Sequence, residues 1–393
     1  MNLRIAVISD LHCRDSQSGN KTTYLSSDLL KTPIYRHPIE ALKKKIIDLS
    51  LTCDYLICLG DITDKINQQG LISGWGYLNE IASTLKIKPD KIVVIPGNHD
   101  VDSQGITSYS TFNHLIKSLN NVVPMNEIDL CNKFWGQHFI VKEFENLILL
   151  AYNSVHNHTN QSNALKTDID PATLEALDNE LSKYLDTLKP KVALCHHHPI
   201  KLSNFDIIYK DGDSIENGDK FLDLLNEKKF DLFIHGHKHI PHLEYRNSLP
   251  IFCSGSFSSL ENISILSKRN TFHIIEILDK NDSSSKGLID TYEFVLGRGW
   301  NKNTDSKGFF PSKTGFGYLG DVMQLSKNIN LWFQVRNKEI LYYEEVLRNF
   351  DELNYLTPVQ QQELEDNLFT IGEIKFIPSL NTEPLLITKI YTK

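Results

Sequence analysis

Five short motifs carry the residues that could do chemistry. In order they are Asp10-Leu11-His12, Gly60-Asp61-Ile62-Thr63-Asp64, Gly97-Asn98-His99-Asp100, His196-His197-His198-Pro199 and His235-Gly236-His237-Lys238-His239. Asp10 and His12 are alternate residues leaving an apolar run, and they converge on one ion if the chain relaxes out of the pleat. The two oxygens of Asp61 can bridge a pair of cations, and Gly60 before it permits a tight turn or a close approach of backbone. Asn98 offers a neutral amide oxygen, whereas His99 is placed to act on a leaving group. One histidine of His196-His197-His198 is expected to be a ligand, with at least one neighbour packing. His237 and His239 can point two imidazoles into the same site, and His235 reads as an interior histidine. Alone, each motif has an ordinary explanation as a turn or a polar loop start. Five in order, each behind an apolar run, spell a two-metal active site. Its nitrogen and oxygen donors, without thiolate, suit Mn²⁺, Fe²⁺/Fe³⁺ or Zn²⁺.

Strands must deliver these motifs. Runs at 3–9, 54–59, 91–95, 147–153, 191–195, 232–235, 250–253 and 271–278 are rich in Ile, Val, Leu and Phe with little alternation. This suits strands buried on both faces. Helices are expected between them at 37–49, 171–188 and 219–226. The second has Asp170 as a cap, Pro171 in its first turn and a stripe of Leu174, Leu177, Leu181, Leu185 and Leu188. Alternating elements imply a layered α/β sandwich, in which ligands bind beyond the carboxyl ends of the strands. After about residue 280 the character changes to a polar stretch, an alternating strand at 289–295 and a Gly-rich segment at 297–317. A strand at 331–335 and two helices follow, the later one opening on Thr357-Pro358-Val359-Gln360. The expected division is therefore 1–280 for the main domain and 281–393 for a smaller α+β accessory domain, serving substrate selection or oligomerisation.

The 393 residues carry a net charge of −8 with 40% hydrophobic and 23% charged residues, as in ordinary globular proteins. That acidity argues against non-specific coating of nucleic acid. No apolar run approaches the roughly 20 residues that span a bilayer. The six cysteines, at 13, 53, 58, 131, 195 and 253, form no C-x-x-C pair. They read as free thiols of a cytoplasmic protein, with no membrane partner.

As a series, D-x-H, G-D-x-x-D, G-N-H-D, H-H-x-P and G-H-x-H resemble the calcineurin-like metallophosphoesterase superfamily over about residues 1–280. The resemblance implies a four-layer α/β/β/α sandwich and a dinuclear centre. It gives Asp10, His12, Asp61 and His239 to the first metal. Asp61, Asn98, His196 and His237 go to the second, with His197 as the other register of the H-H motif. His99 looks like the family's catalytic histidine and Asp64 like its orienting carboxylate. Two ions about 3.5–4 Å apart can hold a bridging hydroxide that attacks phosphorus. The expected activity is that of a metal-dependent phosphodiesterase on a nucleotide or cyclic nucleotide, as in class III cyclic-nucleotide phosphodiesterases. A metal-dependent DNA nuclease, similar to repair nucleases, is the alternative, so nucleic acid is a second candidate partner. A third reading is an interaction module using the tail, which would also make a homo-oligomer.

Substrate choice is expected from segments outside the motifs. These are 16–38 with Arg14, Lys21, Arg36 and His37 at or near it, the loop 153–160 with His156 and His158, and 201–220 with its Asp211-Gly212-Asp213 run. In 297–318, Arg298, Lys302, Lys307 and Lys313 alternate with aromatic residues, a pattern that can track phosphates. The favoured expectation there is a loop whose aromatics pack on the main domain.

Overall fold

The apolar runs become strands of two stacked sheets in the computed structural model. It describes residues 2–15, 21–28, 30–103, 119, 123–158, 162–163, 166–201, 214–260, 269–278, 280, 284–302, 310–336, 339–378 and 384–389. In the first sheet β1 (Leu3–Ile8), β2 (Tyr55–Cys58) and β3 (Ile92–Val94) run parallel. Beyond β1 come β10 (Thr271–Ile277), β11 (Gly287–Val295) and β12 (Gly299–Asn301), all antiparallel, and β13 (Lys313–Phe316) also pairs with β11. The second sheet has the order β4-β5-β6-β7-β9-β8. Its parallel centre is β5 (Ile148–Tyr152), β6 (Lys191–Cys195), β7 (Leu232–His235) and β9 (Leu249–Ser254), flanked by antiparallel β4 (Phe139–Glu143) and β8 (Pro241–Arg246).

Alternation along each strand divides the core. Leu3, Ile5, Val7, Tyr55 and Ile57 meet Leu149, Ala151, Val192, Leu194, Leu232 and Ile234 between the sheets. The intervening residues Ala6, Ile8, Leu56 and Cys58 pack outward on α1 (Pro38–Asp48) and α2 (Gln68–Thr84). Leu150, Tyr152, Ala193, Cys195 and Phe233 pack outward on α4 (Pro171–Leu181) and α5 (Gly218–Glu227). Side chains on both faces are apolar because both faces are covered. The result is the expected four-layer α/β/β/α sandwich. A further helix, α3 (Ile128–Gln137), precedes β4.

Three expectations change. The 331–335 run is the end of helix α6 (Val322–Val335), where Val322, Leu325, Ile329 and Phe333 are buried at helical spacing. α4 stops at Leu181 and continues only as a 3₁₀ turn, leaving Leu185 and Leu188 exposed. The composition change after 280 marks a hairpin, not the end of the first sheet, because β11 pairs with β10 from Gly287 to Glu293 and β13 brings Phe316 into the inter-sheet core. Trp300 is likewise buried, and Phe310 packs on the core. Phe309, Asp305 and Lys307 lie outside the described residues.

The remaining tail runs α6, β14 (Ile340–Tyr342), α7 (Tyr343–Leu347), α8 (Pro358–Gly372), β15 (Ile374–Pro378) and β16 (Pro384–Lys389), with its own buried cluster. α8 starts as the sequence indicates: Gln360 N–H donates to Thr357 Oγ1 at 3.3 Å and Thr357 N–H to Gln360 Oε1 at 3.0 Å. Gly315 N–H donates to Leu356 O at 3.1 Å and Gln360 Nε2 to Tyr318 O at 3.0 Å, tying the tail to the sandwich.

Candidate metal centre

All five motifs sit at the carboxyl ends of strands. Asp10 and His12 follow β1, Asp61 follows β2, Asn98 and His99 follow β3, His196 follows β6, and His237 and His239 follow β7. The first two motifs lie side by side: Asp10 N–H donates to Gly60 O at 3.0 Å and His12 N–H to Asp61 O at 2.8 Å. Five of these residues have left-handed backbone, with φ of 54° at Asp10, 48° at His12, 51° at Asp61, 71° at His237 and 58° at His239. Such conformations are costly away from glycine and cluster at functional sites. Here they turn alternate side chains toward one point. Gly97 is needed for closeness: a Cβ there would lie 2.2 Å from Asp61 Oδ1.

One group of donors is Asp10, His12, Asp61 and His239, whose ligand atoms all lie within 4.8 Å of one another. His12 Nε2 and His239 Nε2 face each other at 3.0 Å, and Asp10 Oδ1 is 3.1 Å from His239 Nε2. The second group gathers around Asn98 Oδ1, 3.2 Å from His196 Nε2 and 3.0 Å from His237 Nδ1. His196 Nε2 is also 3.5 Å from Asp61 Oδ2, so Asp61 borders both groups. His197 lies within 4.8 Å of His196 and His237, but its Nδ1 pairs with Ser154 Oγ at 2.9 Å. His196 Nδ1 instead donates to Leu59 O at 2.7 Å, leaving Nε2 on the Asp61 side. A ligating histidine is usually fixed in this way through its other nitrogen.

His99 stands at the rim. In the protonated imidazole its Nδ1 donates to Asp64 Oδ1 at 3.2 Å, and its backbone N–H donates to Asp61 Oδ1 at 2.7 Å. Burial pulls the His99 imidazole down, but the Asp61 charge and the Asp64 hydrogen bond outweigh it and push it up to about 9. Burial raises Asp64, yet the hydrogen bond from His99 and nearby imidazoles hold it at about 2, so the pair is ionic. Asp100, given no role by its sequence position, ties two motifs together by accepting from Gly97 N–H at 2.9 Å and Thr63 N–H at 3.0 Å. Burial, then the Asp61 charge, raise it to about 7.

The flanking segments divide. His156 stacks on His138 with centroids 4.1 Å apart and pairs with Asn153 O, whereas His158 meets His197 edge-on at 5.2 Å. His37 is buried at the start of α1. Arg14 and Thr22 both reach Asp64. Residues 202–213 and 16–20 lie outside the described residues, including Asp211-Gly212-Asp213. Cys13 and Cys195 are buried free thiols, with Cys195 pushed up to about 12 by burial, so both are packing groups. No helix among the described residues is long and apolar enough to cross a membrane.

The donors fit cations. Asp10 is fully buried, and its Oδ1 faces ring nitrogens of His239 at 3.1 Å and His12 at 3.8 Å. His12 is lowered to about 3, chiefly by burial, which keeps a lone pair for coordination. Burial also opposes charge on His196, but Asp61 and Asp10 raise it to about 9, so these carboxylates draw positive charge to the very point where the two groups meet. Carboxylate, amide and imidazole donors suit two borderline or hard divalent ions.

Residues 314–369 match the family model wHTH-Calcineurin_assc, and the helix–strand–helix–helix order followed by a β15–β16 hairpin makes the tail a winged helix-turn-helix domain. The chain is similar in fold to a purple acid phosphatase from yellow lupin (Lupinus luteus), with 14% identity and a TM-score of 0.50 over 81% of this chain and 54% of that one. A dimetal phosphatase from Danio rerio has 12% identity and a TM-score of 0.46 over 75% of this chain and 96% of that one. No curated protein matches the chain. Residues 3–241, well over half of the sequence and containing every motif above, match the family model described as calcineurin-like phosphoesterase, so the chain belongs to that family of metal-dependent phosphoester hydrolases.

Proposed function

We propose that this chain is a dinuclear-metal phosphodiesterase acting on a nucleotide-like substrate. The observation that carries the reading is the single carboxylate of Asp61 standing between two groups of donors, with the His99–Asp64 pair beside it. Asp10, His12, Asp61 and His239 would hold one ion, and Asp61, Asn98, His196 and His237 the other. When bound, the ions supply the nucleophile and polarise the phosphoryl oxygens. His99 carries the proton that the departing ester oxygen needs, and the Asp64 carboxylate keeps the imidazole protonated and aimed. The diester reading is supported by the resemblance of the five motifs to those of class III cyclic-nucleotide phosphodiesterases.

The test is a Mn²⁺-supplemented panel of monoesters, diesters, cyclic nucleotides and DNA, with Asp61→Asn as the blank. Asp61→Asn is expected to abolish nearly all turnover, because it disturbs both ions at once. Near-wild-type activity of that variant in metal-replete buffer sinks the site assignment. Faster turnover of a monoester than of every diester sinks the diester reading alone.

A further inference from the structure

Asp64 has two oxygens, and His99 uses only Oδ1. The other, Oδ2, accepts from Thr22 Oγ1 at 3.0 Å and from Arg14 Nη1 at 3.2 Å. Arg14 Nη1 also lies 3.5 Å from Thr22 Oγ1, which closes a triangle over the carboxylate. The Asp64 side chain is 2% exposed, and that of Arg14 is 30% exposed, so the guanidinium caps the carboxylate from the solvent side. Rotation about the last bond of an aspartate is soft and roughly two-fold. A carboxylate held through one oxygen only would swing, and the imidazole it steers would swing with it.

The segment that brings Thr22 is fastened. Arg14 N–H donates to Leu25 O at 3.1 Å, Ser27 N–H to Arg14 O at 2.8 Å and Tyr24 N–H to Ser258 O at 2.9 Å. Thr23 Oγ1 donates to Leu11 O at 3.2 Å. From below, α2 presses on the same backbone, where a Cβ on Gly70 would lie 1.9 Å from Cys13 O and 2.6 Å from Arg14 Cα. Arg14 and Thr22 are therefore placed by both ends of the excursion after the first motif, not by chance contact of long side chains.

We propose that Arg14 and Thr22 are positioning residues for proton delivery by His99, acting through Asp64. This rests on the role given to His99 above. As the oxygen of the attacking water-derived nucleophile bonds to phosphorus, the P–O bond to the leaving group breaks and its electron pair goes to the ester oxygen. His99 gives that oxygen its proton and becomes neutral, and the product leaves as an alcohol. Positioning matters in proportion to how much the leaving oxygen needs that proton. An alkoxide needs it, whereas a nitrophenolate leaves without it.

The experiment compares Arg14→Gln and Thr22→Val with wild type on a dinucleoside phosphate and on bis(4-nitrophenyl) phosphate, with bound Mn²⁺ measured for each protein. The expected result is a fall in kcat of about 10- to 100-fold on the dinucleoside ester, a fall of at most about threefold on the aryl ester, and unchanged metal content. Equal losses on both esters, no loss on either, or loss of Mn²⁺ overturns the proposal. A second readout needs no turnover. In wild type the His99 Nδ1–H proton, identified by its disappearance in His99→Gln, is expected as a slowly exchanging downfield NMR signal. It should broaden into exchange with water in both variants. A signal unchanged in both overturns the positioning role even where neither ester proves to be a substrate, a result that would instead count against the proposed function.

Discussion

His273 and His37 are imidazoles sealed inside the protein, far in sequence from the five motifs, and they make acid stability predictable. His273 pairs through Nδ1 with Thr291 Oγ1 at 2.9 Å and through Nε2 with the Ser254 carbonyl, and burial lowers it to about 4 despite that carbonyl. His37 has no hydrogen bond to either ring nitrogen and lies edge-on to Tyr77; burial lowers it to about 4 as well. Because the folded values lie below the ordinary 6.5, the neutral form favours folding. Stability is fully present above pH 6.5 and is lost as the pH falls toward about 4, by on the order of 3 kcal/mol per group. Urea midpoints of metal-stripped protein should thus fall between pH 6.5 and 4.5, and His273→Gln should flatten that slope; an identical slope in the variant refutes the assignment. Residues like these show what was legible at this scale. The metal donors stood out because each motif is short and self-contained. The Arg14–Thr22–Asp64 triangle did not, since its members are 8 and 50 residues apart and ordinary in type. Asp100 was in view as the last letter of its motif, but only the fold reveals the two backbone N–H groups it serves.

At the scale of elements, legibility followed burial symmetry. Strands covered on both faces were plain as apolar runs, and β6 and β7 match their expected limits. The edge strands β4 and β8 were missed because Lys142, Glu143, His242 and Glu244 break the apolar pattern. Helix α2 was missed because Gly70, Gly74 and Gly76 depress helix propensity. Two of them answer a tertiary demand: Gly70 lets the helix touch Cys13 and Arg14, and a Cβ on Gly74 would lie 2.4 Å from Ile62 Cγ2. The same close approach governs the turn after β3. A methyl group on Gly97 would meet Asp61 Oδ1 at 2.2 Å and Asp61 N at 2.5 Å, and backbone cannot yield as a flexible side chain can. Gly97→Ala is therefore expected to push Asp61 aside, lowering activity by about 100-fold or more, the scale of an ångström-sized misplacement. Metal analysis should show lost occupancy while circular dichroism stays that of the folded sandwich. Full Mn²⁺ occupancy with normal turnover would show that the turn relaxes at no cost.

For the whole molecule, the question is what a winged helix does on a phosphoesterase. In helix-turn-helix proteins the recognition helix enters the major groove, and Lys and Arg neutralise phosphates along the duplex. The helix in that place here is α8, Pro-Val-Gln-Gln-Gln-Glu-Leu-Glu-Asp-Asn-Leu-Phe-Thr-Ile-Gly, which has no lysine or arginine. Glu363 and Asp366 are on its exposed side with Val359 and Phe369, while Leu364 and Leu368 face the tail's own core. The strands beside it add only Lys375 and Lys389, and the chain as a whole carries −8. Carboxylates aimed at a phosphate backbone repel it, and few counterions would be released on contact. The full chain with Asp61→Asn, a substitution expected to prevent cleavage, is accordingly expected to bind a 20-base-pair duplex more weakly than about 10⁻⁴ M near physiological salt, with a shallow salt dependence. Fluorescence anisotropy across a salt series measures both quantities. Binding tighter than about 10⁻⁶ M with a steep salt slope would require a basic path across the sandwich itself, and it would move the substrate from a small nucleotide-like diester to DNA.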